Sequence, residues 1–183
     1  HLRGAIKGRI ERLAEQARAG AATAITIKVN ALIDPEMIHL LDRAAEAGVS
    51  IDLIVRGMCG LLPDPARHAA RLRIRSVIGD YLEHSRIYHF EYGGRSEWFA
   101  GSADLMDRNL DRRVEALFPL IDAKSVRRCE EVLEVLLGDV RNSWILQPDG
   151  AWIRLEEMAS SHEKREARSA FADFKRVASA AAE

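Results

Sequence analysis

The chain of 183 residues has no apolar run long enough to cross a bilayer and no secretory-signal pattern at its start. It has only two cysteines, Cys59 and Cys129, and neither sits at a metal-ligand spacing. That excludes a disulfide framework and a zinc ribbon, and reads as two reduced thiols in a cytosolic protein. Charge of one sign is also missing. Basic and acidic residues number 27 and 28, so bulk electrostatics call for no nucleic-acid or membrane partner. There is no Gly-x-x-x-x-Gly-Lys loop, no Gly-x-Gly-x-x-Gly and no Cys/His cluster. Repeats and low-complexity segments are absent. Lysine is absent between Lys28 and Lys124, and arginine stands in its place from Arg43 to Arg113. Arginine suits bidentate phosphate contacts, but a GC-rich genome produces the same bias.

What is present is enough chain for one domain with a substantial core. Leu2, Ile6, Ile10, Leu13 and Ala17 recur at helical spacing up to Gly20. Thr23 to Val29 reads as a β-branched strand. Asp34-Pro35 then starts a helix as cap and first-turn proline, with Met37, Ile38, Leu41 and Ala45 inward and Gly48 closing it. Ile51 to Val55 is a short run that is apolar except at Asp52, which reads as a strand covered on both faces. Strand, helix, strand over this length predicts a right-handed βαβ unit with parallel strands. Beyond it come a loop at 60–71, a strand at Ile74–Ile78, and a hairpin of Arg86–Tyr92 and Glu97–Ala100 about Gly93-Gly94. A strand at Val114–Leu120, a helix at Ala123–Leu137 and a hairpin about Pro148-Asp149-Gly150 follow. A charged helix from Ser161 to Ala180 comes last, with a thin apolar stripe of Phe171, Phe174 and Val177 and frayed final residues.

The chemistry concentrates between Tyr81 and Asp111. His84 lies two residues before Arg86, and read as a strand that spacing puts imidazole and guanidinium on one face. A group that titrates near neutral pH beside a fixed cation suits phosphoryl chemistry. A polar turn, Gly101-Ser102-Ala103-Asp104, follows. Arg56 directly follows the strand 51–55 and precedes Gly57, so it sits at the carboxyl end of a parallel strand, where open α/β sheets bind ligands. It is placed either to meet a phosphate or to pair with Asp52 or Asp80 on the surface. Ser102, Asp104, Arg108 and Asn109 either hold phosphate or orient His84, or else make ordinary turn bonds. On the strand expected at 114–120 and its approach, only one of Arg112 and Arg113 faces the site. His39, His68, His89 and His162 read as structural hydrogen-bonders.

The His-x-Arg pair with its later Gly-Ser turn resembles a degenerate half of the phospholipase-D-type signature. Arg86 stands where that signature has Lys, Glu91 where it has Asp, and Asp104 where it has Asn. The runs IDLIVRGMCGLLP (51–63), IRSVIGDYLEHSRIYHFEYGG (74–94) and GSADLMDRNLDRRVEALFPL (101–120), with TAITIKVNALID (23–34), resemble the C-terminal catalytic lobe of bacterial polyphosphate kinases that make long-chain polyphosphate. The resemblance covers roughly the first three quarters of the chain and fades from about Trp144. It implies an α/β fold with a mixed, mainly parallel-cored sheet flanked by helices, similar to one phospholipase-D-type lobe. Residues 1–143 would be the lobe, and 144–183 a hairpin and charged helix packed on the same domain.

The same resemblance implies the activity. ATP γ-phosphoryl would pass through a phosphohistidine, on a lobe absent here, to polyphosphate, reversibly. The rivals are a phospholipase-D-type phosphodiesterase and a nucleotide- or polyphosphate-binding module without catalysis. His84 is the implied assisting histidine, Arg56 and Arg86 the implied phosphate ligands, and Mg²⁺ would travel with ATP, with no ligand assigned on this chain. The expected partners are ATP or ADP, polyphosphate, the missing N-terminal lobes, and further copies of the whole enzyme in a homo-oligomer, in the cytoplasm or peripheral to the inner membrane. The abrupt His1-Leu2-Arg3 start reads as a piece of a longer protein, with His1 a tag remnant.

Overall fold

A computed structural model describes residues 1–158 and 169–180. Helix α1 (Leu2–Arg18) leads into strand β1 (Thr23–Val29), helix α2 (Pro35–Glu46) and strand β2 (Ser50–Val55). Asp34 caps α2 by accepting from the Met37 amide at 3.0 Å, and β1 and β2 run parallel from Ala24 opposite Ser50 to Val29 opposite Val55. The βαβ unit is present as its apolar runs predict. Strand β3 (Leu72–Val77) adds parallel to β2.

These three parallel strands are the centre of an eight-stranded sheet. On the β1 side lie β4 (Arg86–Tyr92), β5 (Arg95–Gly101) and β6 (Leu117–Pro119), all antiparallel. On the β3 side lie β7 (Ser143–Leu146) and β8 (Trp152–Arg154). The order is β6-β5-β4-β1-β2-β3-β7-β8. The hairpin of β7 and β8 therefore extends the same sheet. Short helices α3 (Pro65–His68) and α5 (Leu155–Met158), a π-helical turn (Arg108–Arg112), α4 (Ala123–Leu137) and α6 (Ala170–Ala180) complete the described elements.

Each sheet face has its own apolar layer. Ile6, Ile10 and Leu13 of α1 and Met37 and Leu41 of α2 bury against Ile25, Ile27, Tyr88 and Phe90. On the opposite face Leu133 and Leu136 of α4 and Phe171 of α6 cover Ile54, Val77, Ile87 and Trp98. Alternation along β4 splits its side chains between the two layers. Arg86, Tyr88 and Phe90 share one parity, and Ile87 and His89 the other.

Three expectations need correction. The 60–71 segment is not all loop: Asp64 caps α3 through the Ala66 and Arg67 amides, and His68 is buried there between the Asp64 amide (3.0 Å) and Asp42 (2.9 Å). The strand expected at Val114–Leu120 shrinks to Leu117–Pro119, with Val114 fully exposed. Arg112 and Arg113 are on no strand, since Arg112 ends the π-helical turn and Arg113 follows it. Of the tail helix expected at Ser161–Ala180, residues 161–168 lie outside the described residues, as do 181–183. Phe171 and Phe174 pack against the α4 layer.

Candidate phosphate-binding site

Because β4 runs against β1, and β5 against β4, four chain segments meet at one edge of the sheet. These are Asn30 after β1, Arg56-Gly57 after β2, Arg86 opening β4, and Gly101-Ser102 closing β5. The carboxyl ends of β1 and β2 face the same way, as ligand sites in open α/β sheets require. Two glycines permit the close approach. A Cβ at Gly57 would lie 2.8 Å from the Asn30 carbonyl, and one at Gly101 would strike the Ala116 carbonyl.

The edge holds an open hollow of about 560 Å³, whose wall includes Asn30, His84, Arg86, Asp104, Arg108 and Arg113. His84 is not on a strand, because β4 starts two residues later, yet its ring is still held against Arg86. Arg86 Nη1 donates to His84 Nδ1 at 2.7 Å and to the His84 carbonyl at 2.8 Å. The other side of the guanidinium meets the buried Asp104 carboxylate, with Nη2 donating at 3.1 Å and Nε at 3.3 Å. With its amide oxygen turned to the arginine, Asn30 accepts from Nη2 and Nε at 2.9 and 3.0 Å. Asp104 also accepts from the Asn30 backbone amide at 2.6 Å. Carboxylate, guanidinium and imidazole thus form a chain from the protein interior to an exposed ring. Tyr88, wholly buried, donates to the Ala103 carbonyl at 2.8 Å and pins the turn from below.

The remaining expected residues divide. Ser102 and Asn109 both donate to Glu115, which engages the Ser102 hydroxyl and the Asn109 amide nitrogen, while the buried Asn109 amide oxygen has no partner among the described residues. Arg108 and Arg113 line the hollow and have no carboxylate partner among the described residues. Arg112 points elsewhere, 3.0 Å from Asp107, so Arg113 is the one that faces the site. Arg56 pairs with neither Asp52, which binds Arg73, nor Asp80; its Nη1 donates to the Glu83 carbonyl at 3.2 Å. It lies across Gly57 from His84, in a smaller hollow with Ser76, Trp144 and Trp152. Glu91 is exposed along β4 and away from the hollow, so its match to the acidic position of the phospholipase-D-type signature places nothing in the site.

Sequence reasoning missed Asn30 and Lys28. The carboxyl-end argument that singled out Arg56 applies equally to Asn30, one residue past β1. Lys28 gave no signal, because nothing local marks a buried lysine. No group of three or more His, Cys, Asp or Glu stands together as a metal cage among the described residues. The two carboxylates lining the hollow, Asp104 and Glu115, are both taken by protein donors. The donor set does not fit a protein-held cation. Both thiols are pushed up by burial, which argues against reactive thiolates.

The α/β lobe thus carries a histidine–arginine–aspartate chain that opens on an arginine-walled edge hollow. Comparison with known proteins gives the family. Residues 1–168 match the family described as polyphosphate kinase C-terminal domain 2, and the chain belongs to the polyphosphate kinase family. The match runs well past Trp144, where the resemblance in the sequence fades. Polyphosphate kinase 1 of Chlorobaculum tepidum is 48% identical over 143 residues, 78% of this chain and 20% of that protein. Polyphosphate kinase of Pseudomonas aeruginosa is 48% identical over 146 residues, 80% of this chain and 21% of its own. The chain therefore spans about a fifth of the length of these relatives. The crystal structure of polyphosphate kinase from Porphyromonas gingivalis superposes with a TM-score of 0.86 at 37% identity, covering 97% of this chain and 26% of that one. No helix among the described residues is long and apolar enough to cross a membrane.

Proposed function

We propose that this chain supplies one wall of a phosphoryl-transfer site, the other wall being a lobe that carries a phosphorylated histidine. In the whole enzyme, ATP γ-phosphoryl would pass through that histidine to a growing polyphosphate chain, and ADP with polyphosphate would run the reaction backwards. The observation that carries this reading is the pairing of an exposed imidazole, oriented by Arg86, with two arginines that have no carboxylate partner among the described residues, Arg108 and Arg113.

Phosphoryl transfer asks the protein mainly for position and charge neutralisation. Arg86 is neutralised from behind by Asp104, so its role is to hold His84 and present its edge to an incoming oxygen. Arg108 and Arg113 would bind the polyanion, and Arg56 the nucleotide phosphates across Gly57. His84 would donate or accept a proton, or stabilise the moving phosphoryl group, a contribution of ~10²–10⁴-fold. Magnesium would arrive on the phosphates of ATP and be held by their oxygens. In this reading the lobe by itself binds phosphate chains but lacks the phosphorylated group, and the whole protein assembles as a homo-oligomer in the cytoplasm or at the inner-membrane surface.

Labelling with γ-labelled ATP tests this. The chain alone should fold, make no polymer and take no acid-labile, base-stable label. The full-length protein should make polymer and take that label. Label on His84 of the chain would reverse the roles given to the two histidines.

A further inference from the structure

Under the His84 loop lies the one lysine that is buried among the described residues, Lys28, 3% exposed in the middle of the sheet on β1. Its ammonium donates to the Ser85 carbonyl at 2.7 Å and forms an ion pair with Glu83. Glu83 in turn accepts from the Ser85 amide at 3.0 Å, and its own carbonyl accepts from Arg56 at 3.2 Å. The residues on both sides of His84 are thus tied to one side chain rising from the central sheet. Burial pulls the Lys28 ammonium below its ordinary value, and Glu83 opposes that.

Stability alone is a weak reason for such a pair. A buried ion pair is often matched or bettered by apolar residues of similar size, because desolvating two charges costs about what their attraction returns. An apolar side chain at position 28 would fill the same space. It would not reach chain atoms on both flanks of an exposed imidazole. We propose that Lys28 is a positioning residue. Paired with Glu83, it fixes residues 83–85 so that the His84 ring rests on Arg86 and faces the hollow. This role rests on the reading of His84 as the phosphate-facing group, and its test separates the two.

The experiment is histidine NMR of this chain, with and without inorganic tripolyphosphate, for the wild type, Lys28→Met and Glu83→Gln. His68, buried beside Asp42 on the far side of α2, reports whether the fold is intact. Lys28→Met should leave the His68 signals in place and move those of His84 towards free-histidine values. The apparent affinity for tripolyphosphate at His84 should fall about tenfold, the loss expected for one misplaced charge-assisted contact. His84 signals unchanged from wild type in a folded Lys28→Met chain would overturn the proposal. If that variant does not fold, Glu83→Gln, which keeps the shape and removes the charge, should displace the His84 signals in the same direction, and unmoved signals there would overturn it. A wild-type chain blind to tripolyphosphate would sink the phosphate reading alone, since the ring's own signals still decide the role of Lys28.

Discussion

Replacing Asp104 isolates the buried end of the histidine–arginine–aspartate chain. The carboxylate is 6% exposed and holds two partners, the Asn30 amide at 2.6 Å and the Arg86 guanidinium at 3.1 Å. Asp104→Ala leaves Arg86 without its counter-ion and the Asn30 amide without an acceptor. Breaking a buried pair by removing one partner costs about 3–5 kcal/mol. Arg86 borders an open hollow where water can solvate it, so the lower figure, about 3 kcal/mol, applies. For a domain of this size each kcal/mol moves the melting temperature by ~2–4 °C, which gives a fall of roughly 6–12 °C. Asp104→Asn keeps an acceptor for the Asn30 amide and loses only the charge, so its fall should be about half as large. Thermal melts followed by circular dichroism, with urea titrations alongside, measure both. An Asn variant as stable as wild type would refute the claim that charge holds Arg86. An Ala variant within about 1 kcal/mol of wild type would refute the buried chain as a whole.

In the full-length protein, Arg56→Ala should lower the efficiency of nucleotide use at least about tenfold with the fold intact, and Arg56→Lys should recover only part. Steady-state kinetics with ADP and polyphosphate check this, and full activity in the Ala variant would reduce Arg56 to a clasp on the Glu83 carbonyl. Burial between Trp98, 3.9 Å from ring to ring, and Ser96 holds His89 below its ordinary imidazole value of 6.5. The unfolded chain then takes up this proton before the folded one. Stability should therefore fall as pH drops below about 6.5 and level off once the folded imidazole also titrates. His89→Phe should flatten that part of the melting profile, and an unchanged slope would assign it to other groups.

The βαβ unit was legible because Thr23–Val29 is rich in β-branched residues, Ile51–Val55 is apolar but for Asp52, and Asp34-Pro35 marks the helix start. The strand at the opposite edge was not. Val114, Phe118 and Ile121 are apolar and exposed, so their pattern records no core in this chain and overstated a three-residue strand. The His84–Arg86 contact was foreseen for an incomplete reason. The ring reaches Arg86 from a loop, through tertiary ties to Lys28 and Arg56 that no local spacing encodes. Asp104 was visible as a turn residue, but its burial against Asn30 depends on two segments 74 residues apart. Arg113 could not be told from Arg112 because the π-helical turn that ends between them breaks both periodicities.

The most direct test of the account is polyphosphate-driven ATP synthesis by the full-length protein carrying His84→Ala, His84→Gln or His89→Ala. His84→Ala should lose ~10²–10⁴-fold of the rate. His84→Gln, which keeps a polar contact but does not titrate near neutral pH, should stay low if proton transfer is the ring's task. His89→Ala, on the opposite face of β4, should remain within about twofold of wild type, the small effect usual for a substitution away from the chemistry. An inactive His89→Ala beside an active His84→Ala would place the catalytic cleft on the other side of the sheet and contradict the account.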